Sequence, residues 1–262
     1  MFIINILLLL LRISLNITTS LLDSNFMKNK KANILLLTIL LLNVVNADNR
    51  RYVWTYEYIT MEPGKAELEH YLTFQGKDRM HTKDAVKVVH NLELEIGMNE
   101  RFDVGIYQDF SQSPGKAFQY DGYKIRMRYR IGEKGQYLVD PLLYFEYKGN
   151  TDFSKHVYEG KLILARDFGS VNAAVNPVFE IEMHDGETET MWKYNAGISK
   201  SIHPLFSLGL EFRGDQHHQY LGPVISHGKE SLWIALGTAI AITNLSEDVD
   251  PFKIRMIIGI HF

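Results

Sequence analysis

An apolar residue at every second position is the feature that most constrains this chain, and the pattern repeats from residue 65 to the C-terminus. In the stretch KVVHNLELEIG, residues 87–97, Val88, Leu92 and Ile96 alternate with polar and charged residues. Successive side chains of a β-strand point to opposite faces, so this is the pattern of a strand with one apolar face. We find no convincing stretch with a helical period in this part of the sequence. The pattern therefore predicts an all-β fold.

Twelve segments of this kind follow one another. They lie at about residues 65–76, 84–97, 101–110, 120–131, 136–148, 156–168, 171–183, 190–202, 204–214, 218–227, 230–243 and 251–262. A tilted transmembrane strand needs about 9–11 residues, whereas strands of soluble proteins usually have about five or six. The segments therefore have the length of membrane-spanning strands.

The predicted connections alternate between short and long. The short ones are 98–100, 132–135, 169–170, 202–203 and 228–229, and the long ones are 77–83, 111–119, 149–155, 184–189, 215–217 and 244–250. This alternation is typical of outer-membrane barrels. We predict a transmembrane, up-and-down antiparallel β-barrel of about 12 strands over residues 65–262, located in the cell outer membrane. A soluble β-sandwich or a lipocalin-like barrel would also have one apolar face, but strand length and loop alternation argue against both.

The N-terminal residues are of a different kind. Residues 32–45, ANILLLTILLLNVV, follow three lysines and lead into Ala47, so that small residues lie at the −3 and −1 positions of a signal-peptide cleavage site. The run has 14 residues, fewer than the roughly 20 that a membrane-spanning helix needs. We predict a leader over residues 1–47, composed of an upstream extension, 1–26, and a cleaved signal peptide, 27–47. A membrane hairpin of two short helices is the alternative, which the charged residues between the two apolar runs disfavour.

Composition excludes several classes of protein. The chain has no cysteine, which rules out a disulfide scaffold, thiolate zinc sites and a cysteine nucleophile. Removal of the leader takes four of the 28 basic residues and one of the 31 acidic residues, which leaves a net charge of −6. A nucleic-acid-binding protein would usually carry a basic excess, so we expect no nucleic acid among the partners.

The start of the predicted barrel carries a recognisable pattern. Residues 55–74, TYEYITMEPGKAELEHYLTF, combine a short strand, a turn at Pro63 and Gly64, and a Glu-x-Glu strand at Glu67 and Glu69. This opening resembles that of several outer-membrane β-barrel families, including those grouped with the phenol-degradation meta-pathway proteins. The resemblance implies a porin-like or transporter-like barrel and names no solute. It also implies that residues 48–64 form a separate segment, either a pre-strand at the periplasmic mouth or a plug inside the lumen.

The polar faces of the predicted strands supply the candidate site residues. The predicted lumen-lining charged residues are Glu67, Glu69, Glu93, Glu95, Arg101, Asp103, Lys124, Arg126, Arg128 and Arg130. The four glutamates form an acidic patch on two adjacent strands, and the last four cations form a basic stripe two strands further round. Opposite charges on separate walls would create a transverse field, as at porin constrictions, whereas in a closed lumen the same groups would pair with their neighbours. A 12-strand barrel is intermediate between filled eight-strand and open sixteen-strand barrels, so both arrangements stay open.

Catalytic and metal sites receive little support from the sequence. Ser226 and His227 are adjacent on a predicted strand, so their side chains point to opposite faces and cannot form a catalytic pair. The loop stretches Asp215–His218 and Ser246–Asp250 fit solvated residues better than metal ligands. We expect no catalytic residues, no metal and no cofactor. The predicted function is a passive channel for small hydrophilic or amphipathic solutes. The alternatives are a plugged structural or surface-interaction barrel and, after it, an outer-membrane hydrolase.

The C-terminus predicts how the barrel is assembled. The last strand alternates up to Ile258, Ile260 and Phe262, as does the terminal strand that the outer-membrane assembly machinery reads. We therefore expect this machinery, outer-membrane lipid and lipopolysaccharide, and a small solute as partners.

Cleavage after Ala47 should leave Asp48 as the mature N-terminus, because the residues at −3 and −1 are small and Asp48 begins a polar stretch. N-terminal sequencing of membrane-extracted protein measures this directly. A mature chain that retains residues 35–42 would contradict the leader assignment.

Overall fold

The computed structural model describes residues 50–77, 85–229, 231–243 and 250–262. The described residues belong to a single compact unit. The predicted leader, residues 1–47, and most of the acidic loop 246–250 lie outside the described residues. None of the described residues forms a helix long and apolar enough to cross a membrane.

Twelve strands form one closed antiparallel barrel in which each strand pairs with its neighbours in sequence and β1 pairs with β12. The strands are β1 Ala66–Gly76, β2 Val86–Asn99, β3 Phe102–Gln112, β4 Gln119–Arg130, β5 Asp140–Asn150, β6 Lys155–Phe168, β7 Val171–His184, β8 Glu187–His203, β9 Phe206–Asp215, β10 Gln219–Lys229, β11 Leu232–Ala241 and β12 Phe252–His261. The predicted fold class and strand number are confirmed. We call the end at which β1 begins and β12 ends the terminus end, and the opposite end the far end.

The predicted strict alternation of short and long connections is wrong at two places. The connection between β7 and β8, predicted as a loop, contains only Asp185 and Gly186, with φ angles of 51° and 84°. An Asp-Gly pair accommodates the two positive φ angles of a tight hairpin turn, so both strands continue to the turn. The connection between β4 and β5, predicted as short, runs over residues 131–139, and the Gly135 N–H donates to the Asp140 carboxylate at 2.7 Å.

The two faces of the barrel wall differ in chemistry. On β4, Ile125 and Met127 point outward and are about two-fifths exposed, whereas Arg126 points inward and is fully buried. The pairing of β3 with β4 continues this division, because Ile106 lies opposite Ile125 and Gly105 lies opposite Arg126. The exterior is therefore an apolar belt, and the charged residues of the alternating pattern lie inside.

The barrel closes where the first strand meets the last. The backbones of Ala66 and Phe262 exchange two hydrogen bonds, at 3.1 and 2.9 Å. Beside them the Trp233 indole N–H donates to Glu67 at 2.9 Å, and the His261 ring lies 2.6 Å from the same carboxylate. Backbone and side chains of three strands thus join at this seam.

The residues predicted as an assembly signal lie on this seam. Ile258 and Ile260 belong to the outward face of β12, and Phe262 follows its last residue. Recognition by the assembly machinery stays a prediction.

Replacing Ile125 by arginine should lower the free energy of unfolding by about 2–4 kcal/mol, because the guanidinium would face lipid near the middle of β4. Urea titration of the barrel in lipid vesicles measures this change. The matched control is Leu138→Arg in the exposed loop 131–139, which we expect to change stability by less than about 0.5 kcal/mol. Equal effects of the two substitutions would contradict the orientation of β4.

Candidate functional site

The N-terminal segment lies inside the barrel. Residues 50–61, which we call the plug, enter from the terminus end and pack against the inner wall. Tyr52, Val53 and Thr55 are at most 1% exposed. Since these residues form no strand of the barrel, they occupy the lumen without contributing to its wall.

A single carboxylate on β9 binds the plug backbone. Glu211 accepts hydrogen bonds from the backbone N–H groups of Val53 at 3.0 Å, Trp54 at 2.9 Å and Thr55 at 2.7 Å. A buried backbone N–H group without a partner is costly, and hydrogen bonds to an ionised acceptor are stronger than neutral ones. Glu211 therefore stabilises three consecutive plug residues at once.

Other wall residues bind the plug after this point in the chain. The Asn176 side chain accepts a hydrogen bond from the Tyr56 N–H at 2.6 Å and donates one to the Tyr56 carbonyl at 3.0 Å. Nearer the terminus end, the Met61 N–H donates to Asp103 at 2.9 Å. Three separate strands thus contact the plug through polar groups.

The plug also carries its own ion pair. The Glu57 carboxylate lies 3.6 Å from Arg51 and accepts a hydrogen bond from the Arg51 backbone N–H at 2.9 Å. Burial raises the pKa of the Glu57 carboxyl above its usual value, and Arg51 opposes this effect. The Arg51 guanidinium in turn lies 3.1 Å from Asp167 on β6.

Small residues on the inner wall make room for the plug. The inward side of β11 contains Ala235, Gly237 and Ala239. A Cβ atom at Gly237 would lie 2.4 Å from a methyl group of Val53, and one at Gly197 would lie 2.5 Å from the Tyr52 ring. The plug therefore needs glycine at both positions.

Arg126 lies at the centre of the predicted charged stripe. Its Nη2 atom is 3.0 Å from Glu93 and 2.7 Å from Glu95. The glutamates belong to β2, and β3 lies between, with Gly105 in register with both Arg126 and Glu95. A Cβ at Gly105 would come within 2.3 Å of Glu93 Oε1 and 3.0 Å of Arg126 Nε. The absent side chain lets Arg126 reach across β3.

The remaining charged candidates are placed as follows. Arg128 pairs with Glu95 and with Asp103, the latter at 2.6 Å. Glu69 lies 3.1 Å from Arg50 of the plug, and Lys124 lies 3.8 Å from Asp109. Arg101 pairs with Glu133 and Arg130 donates to the Glu100 carbonyl, both at the terminus-end mouth. Opposite charges meet in pairs here, so of the two arrangements open from sequence, the structure has the paired one around Arg126 and Arg128.

Three carboxylates of this region could geometrically hold a metal ion. Ligand atoms of Glu69, Glu93 and Glu95 lie within 4.8 Å of one another. However, Arg50 and Arg126 already pair with these carboxylates. The cluster is explained by its guanidinium partners.

Two cavities border the plug. The mouth cavity, about 290 Å³, lies at the terminus end and is lined by Arg51, Tyr58 and Asp167 among others. The lumen cavity, about 200 Å³, lies toward the far end, with Trp54 and Tyr56 of the plug as part of its lining. Its charged lining consists of Lys124, Glu146, Glu159, Lys161, Lys193, Arg213 and Arg255. Cations therefore outnumber carboxylates in the lumen cavity.

The histidine candidates lie in a turn at Asp215, and Ser226 and His227 lie on β10. Asp215 accepts hydrogen bonds from the backbone N–H groups of His217 and His218, at 2.7 and 2.8 Å, which makes a local turn. Ser226 is buried on the inner face of β10, whereas the His227 ring packs against Phe206. Ser226 and His227 therefore point to opposite faces.

The candidate residues predicted from sequence did not include Glu211 and Asn176, which bind the plug, or Arg213 and Arg255, which line the lumen cavity. Glu211 and Arg213 alternate with apolar residues along β9, and Arg255 does so on β12, the same signal as on β4. A second signal was available on β11, where the small residues Ala235, Gly237 and Ala239 occupy three successive inward positions. Such a surface indicates that something packs against it.

Comparison with known proteins supports the architecture. No protein-family model matches the sequence, and no curated protein matches it significantly. Among solved structures, the NanC porin matches with a TM-score of 0.55 and 8% identity over 74% of this chain and 98% of its own. An outer-membrane channel from Pseudomonas putida F1 matches with a TM-score of 0.58 and 7% identity, over 80% of this chain and 100% of its own. The KdgM porin, solved in complex with disordered oligogalacturonate, has a TM-score of 0.51 and 10% identity, over 76% and 98%.

The fold is that of an outer-membrane β-barrel. The resemblance inferred from the sequence is confirmed at this level. At identities of 7–10% the likeness extends to the fold alone, so the solute has to be argued from this chain's own residues.

Replacing Arg126 by methionine should lower the free energy of unfolding by about 3–5 kcal/mol, because Glu93 and Glu95 would lose a buried partner. Urea titration in vesicles measures the change. Arg101→Met is the control, since its ion pair with Glu133 is largely exposed and such pairs contribute about 0–1 kcal/mol. An Arg126→Met barrel as stable as the control would contradict the buried ion-pair network.

Proposed function

We propose that this barrel is a porin-like outer-membrane channel for small hydrophilic or amphipathic solutes, and that its plug closes the channel at rest. The NanC porin, the KdgM porin and the Pseudomonas putida channel have the same barrel architecture. The KdgM porin was solved with oligogalacturonate, an acidic sugar chain. These neighbours support passage of a solute, and the plug accounts for the closed lumen.

The position of the plug between two cavities carries this proposal. Tyr58 and Arg51 line the mouth cavity, whereas Trp54 and Tyr56 line the lumen cavity. The plug is the structure between these spaces, and its displacement would join them into one passage along the barrel.

The way in which the plug is bound is compatible with release. Its backbone is attached through hydrogen bonds to Glu211, Asn176 and Asp103, and water can replace hydrogen bonds of this kind. The wall closes on itself through β1 and β12, so release of the plug would leave the barrel intact.

A plugged structural barrel is the second candidate. The nearly complete burial of Tyr52 and Val53 favours it, because displacement of the plug would expose apolar surface to the lumen. Conductance of the intact protein separates the two candidates, since a channel whose plug is released shows openings, whereas a structural barrel keeps its plug in place and shows none.

Glu211→Gln should increase the open fraction of single channels in planar bilayers about tenfold. A hydrogen bond to a charged group contributes about 1.5–3 kcal/mol and a neutral one about 0.5–1.5 kcal/mol. Removal of the negative charge that accepts these three N–H groups should therefore weaken plug binding by at least about 1.4 kcal/mol, which is a factor of ten in the equilibrium constant. Deletion of residues 50–61 should give a channel that stays open.

Glu189→Gln, in an exposed part of β8, is the control and should conduct as the unmodified protein does. Heat-modifiable gel mobility verifies that each variant has folded. A folded barrel without residues 50–61 that still does not conduct would reject the channel and favour the structural barrel.

A further inference from the structure

Two guanidinium groups in the lumen cavity form no ion pair with any carboxylate of the described residues. Arg213 comes from β9 and Arg255 from β12, and both line this cavity. Across the described residues, no carboxylate oxygen lies within 4.0 Å of either side chain. The lysines of the same cavity differ in this respect, and their carboxylate partners are Asp109 for Lys124, Glu159 for Lys161 and Glu180 for Lys193.

Both arginines are positioned by the plug. Arg213 lies 5.5 Å and Arg255 lies 5.4 Å from the centroid of the Trp54 ring, within cation–π range. Arg255 also donates to Thr73 Oγ1 at 2.9 Å and to the Val53 carbonyl at 3.3 Å. These contacts orient the guanidinium groups, but none of them neutralises the charge.

An unneutralised charge inside a membrane protein indicates function. Charged groups in the interior of membrane proteins usually pair with one another and mark the pathways of substrates or ions. Since the other cations of this cavity are paired, the excess positive charge is concentrated at Arg213 and Arg255. Arginine is also the side chain best suited to carboxylate geometry, because its planar fork can donate two parallel hydrogen bonds.

The rest of the lining favours an organic ligand. The cavity includes the rings of Tyr56, Tyr71, Tyr107 and Tyr144 beside Trp54, and the buried Trp54 indole N–H has no hydrogen-bond partner within the part of the chain that the structure describes. A volume of about 200 Å³ is below the roughly 300–1,000 Å³ of pockets for drug-sized molecules. The lumen cavity therefore has room for a ligand about the size of a single ring.

We propose that the lumen cavity binds a small organic carboxylate, with the carboxylate at Arg213 and Arg255 and the body of the ligand on the aromatic lining. A small organic carboxylate is then the class of solute for the proposed channel. Only its transport rests on the proposed function, because binding at this site does not require conduction. Sugar acids and aromatic acids share this chemistry, because each combines a carboxylate with a ring that can lie on aromatic side chains.

Isothermal titration calorimetry on the full barrel in detergent tests the site with two acids, galacturonate and benzoate. Galactose and benzamide are the uncharged counterparts. We expect at least one acid to bind at least tenfold more tightly than its uncharged counterpart. Binding of galacturonate would show that the aromatic lining accepts a sugar ring, and binding of benzoate that it accepts an aromatic ring. Absence of binding by both acids, or equal binding of acid and counterpart, would overturn the proposal.

Arg213→Gln combined with Arg255→Gln should weaken binding of the acid at least tenfold. Arg213→Gln alone should weaken it by a smaller factor, and it tests the same site with little disturbance because Arg213 contacts the Trp54 ring and forms no ion pair with the described carboxylates. The matched control, Arg101→Gln with Arg166→Gln, removes two guanidinium groups near the terminus-end mouth and should bind as the unmodified barrel does. Unchanged binding by the Arg213 and Arg255 variant would overturn the site.

Calorimetry tests the anion site and conductance tests the channel, so either proposal can be rejected without the other. Binding of the acid, together with a non-conducting barrel that lacks residues 50–61, would keep the anion site and reject the channel. Conduction without binding would keep the channel and reject the anion site.

Discussion

The closure of β1 on β12 is the constraint on which the rest of the structure depends. A lipid environment offers no partner to an exposed strand edge, so a membrane sheet must pair every strand on both sides. Here the backbones of Ala66 and Phe262 complete the ring. Once the wall is closed, alternation sends apolar side chains outward and charged ones into a limited interior. Inside the barrel Arg126 then pairs with Glu93, Glu95 and Asp103.

The interior of a 12-strand barrel is wider than that of an eight-strand barrel, which side chains alone can fill, and this protein fills part of it with its N-terminal segment. Glu211 accepts three consecutive plug N–H groups, and glycines on β8 and β11 provide the space. The result is a lumen divided into two cavities. That division is the physical basis for regarding the plug as a closure of the channel.

The plug and the proposed anion site share residues. Trp54 belongs to the plug, and both Arg213 and Arg255 lie against its ring, while Arg255 also donates to the Val53 carbonyl. A carboxylate that binds these guanidinium groups would therefore act on the same side chains that contact the plug. In the two proposals, solute recognition and channel closure would therefore share one place in the lumen.

The twelve strands, their two faces and the inward direction of Arg126 follow from the amino-acid pattern alone, because the period of two is a local property of each strand. This pattern did not determine the Arg126 pairing across Gly105, the place of the plug, or the meeting of Arg213 with Arg255 on Trp54. Those depend on register and on closure of the ring, which bring together residues far apart in sequence. The Asp185-Gly186 turn shows the same limit at short range, since a two-residue hairpin was present within a stretch whose polarity indicated a loop. The local pattern determines the face of the strand on which a side chain lies, whereas the closed barrel determines which residues that side chain contacts.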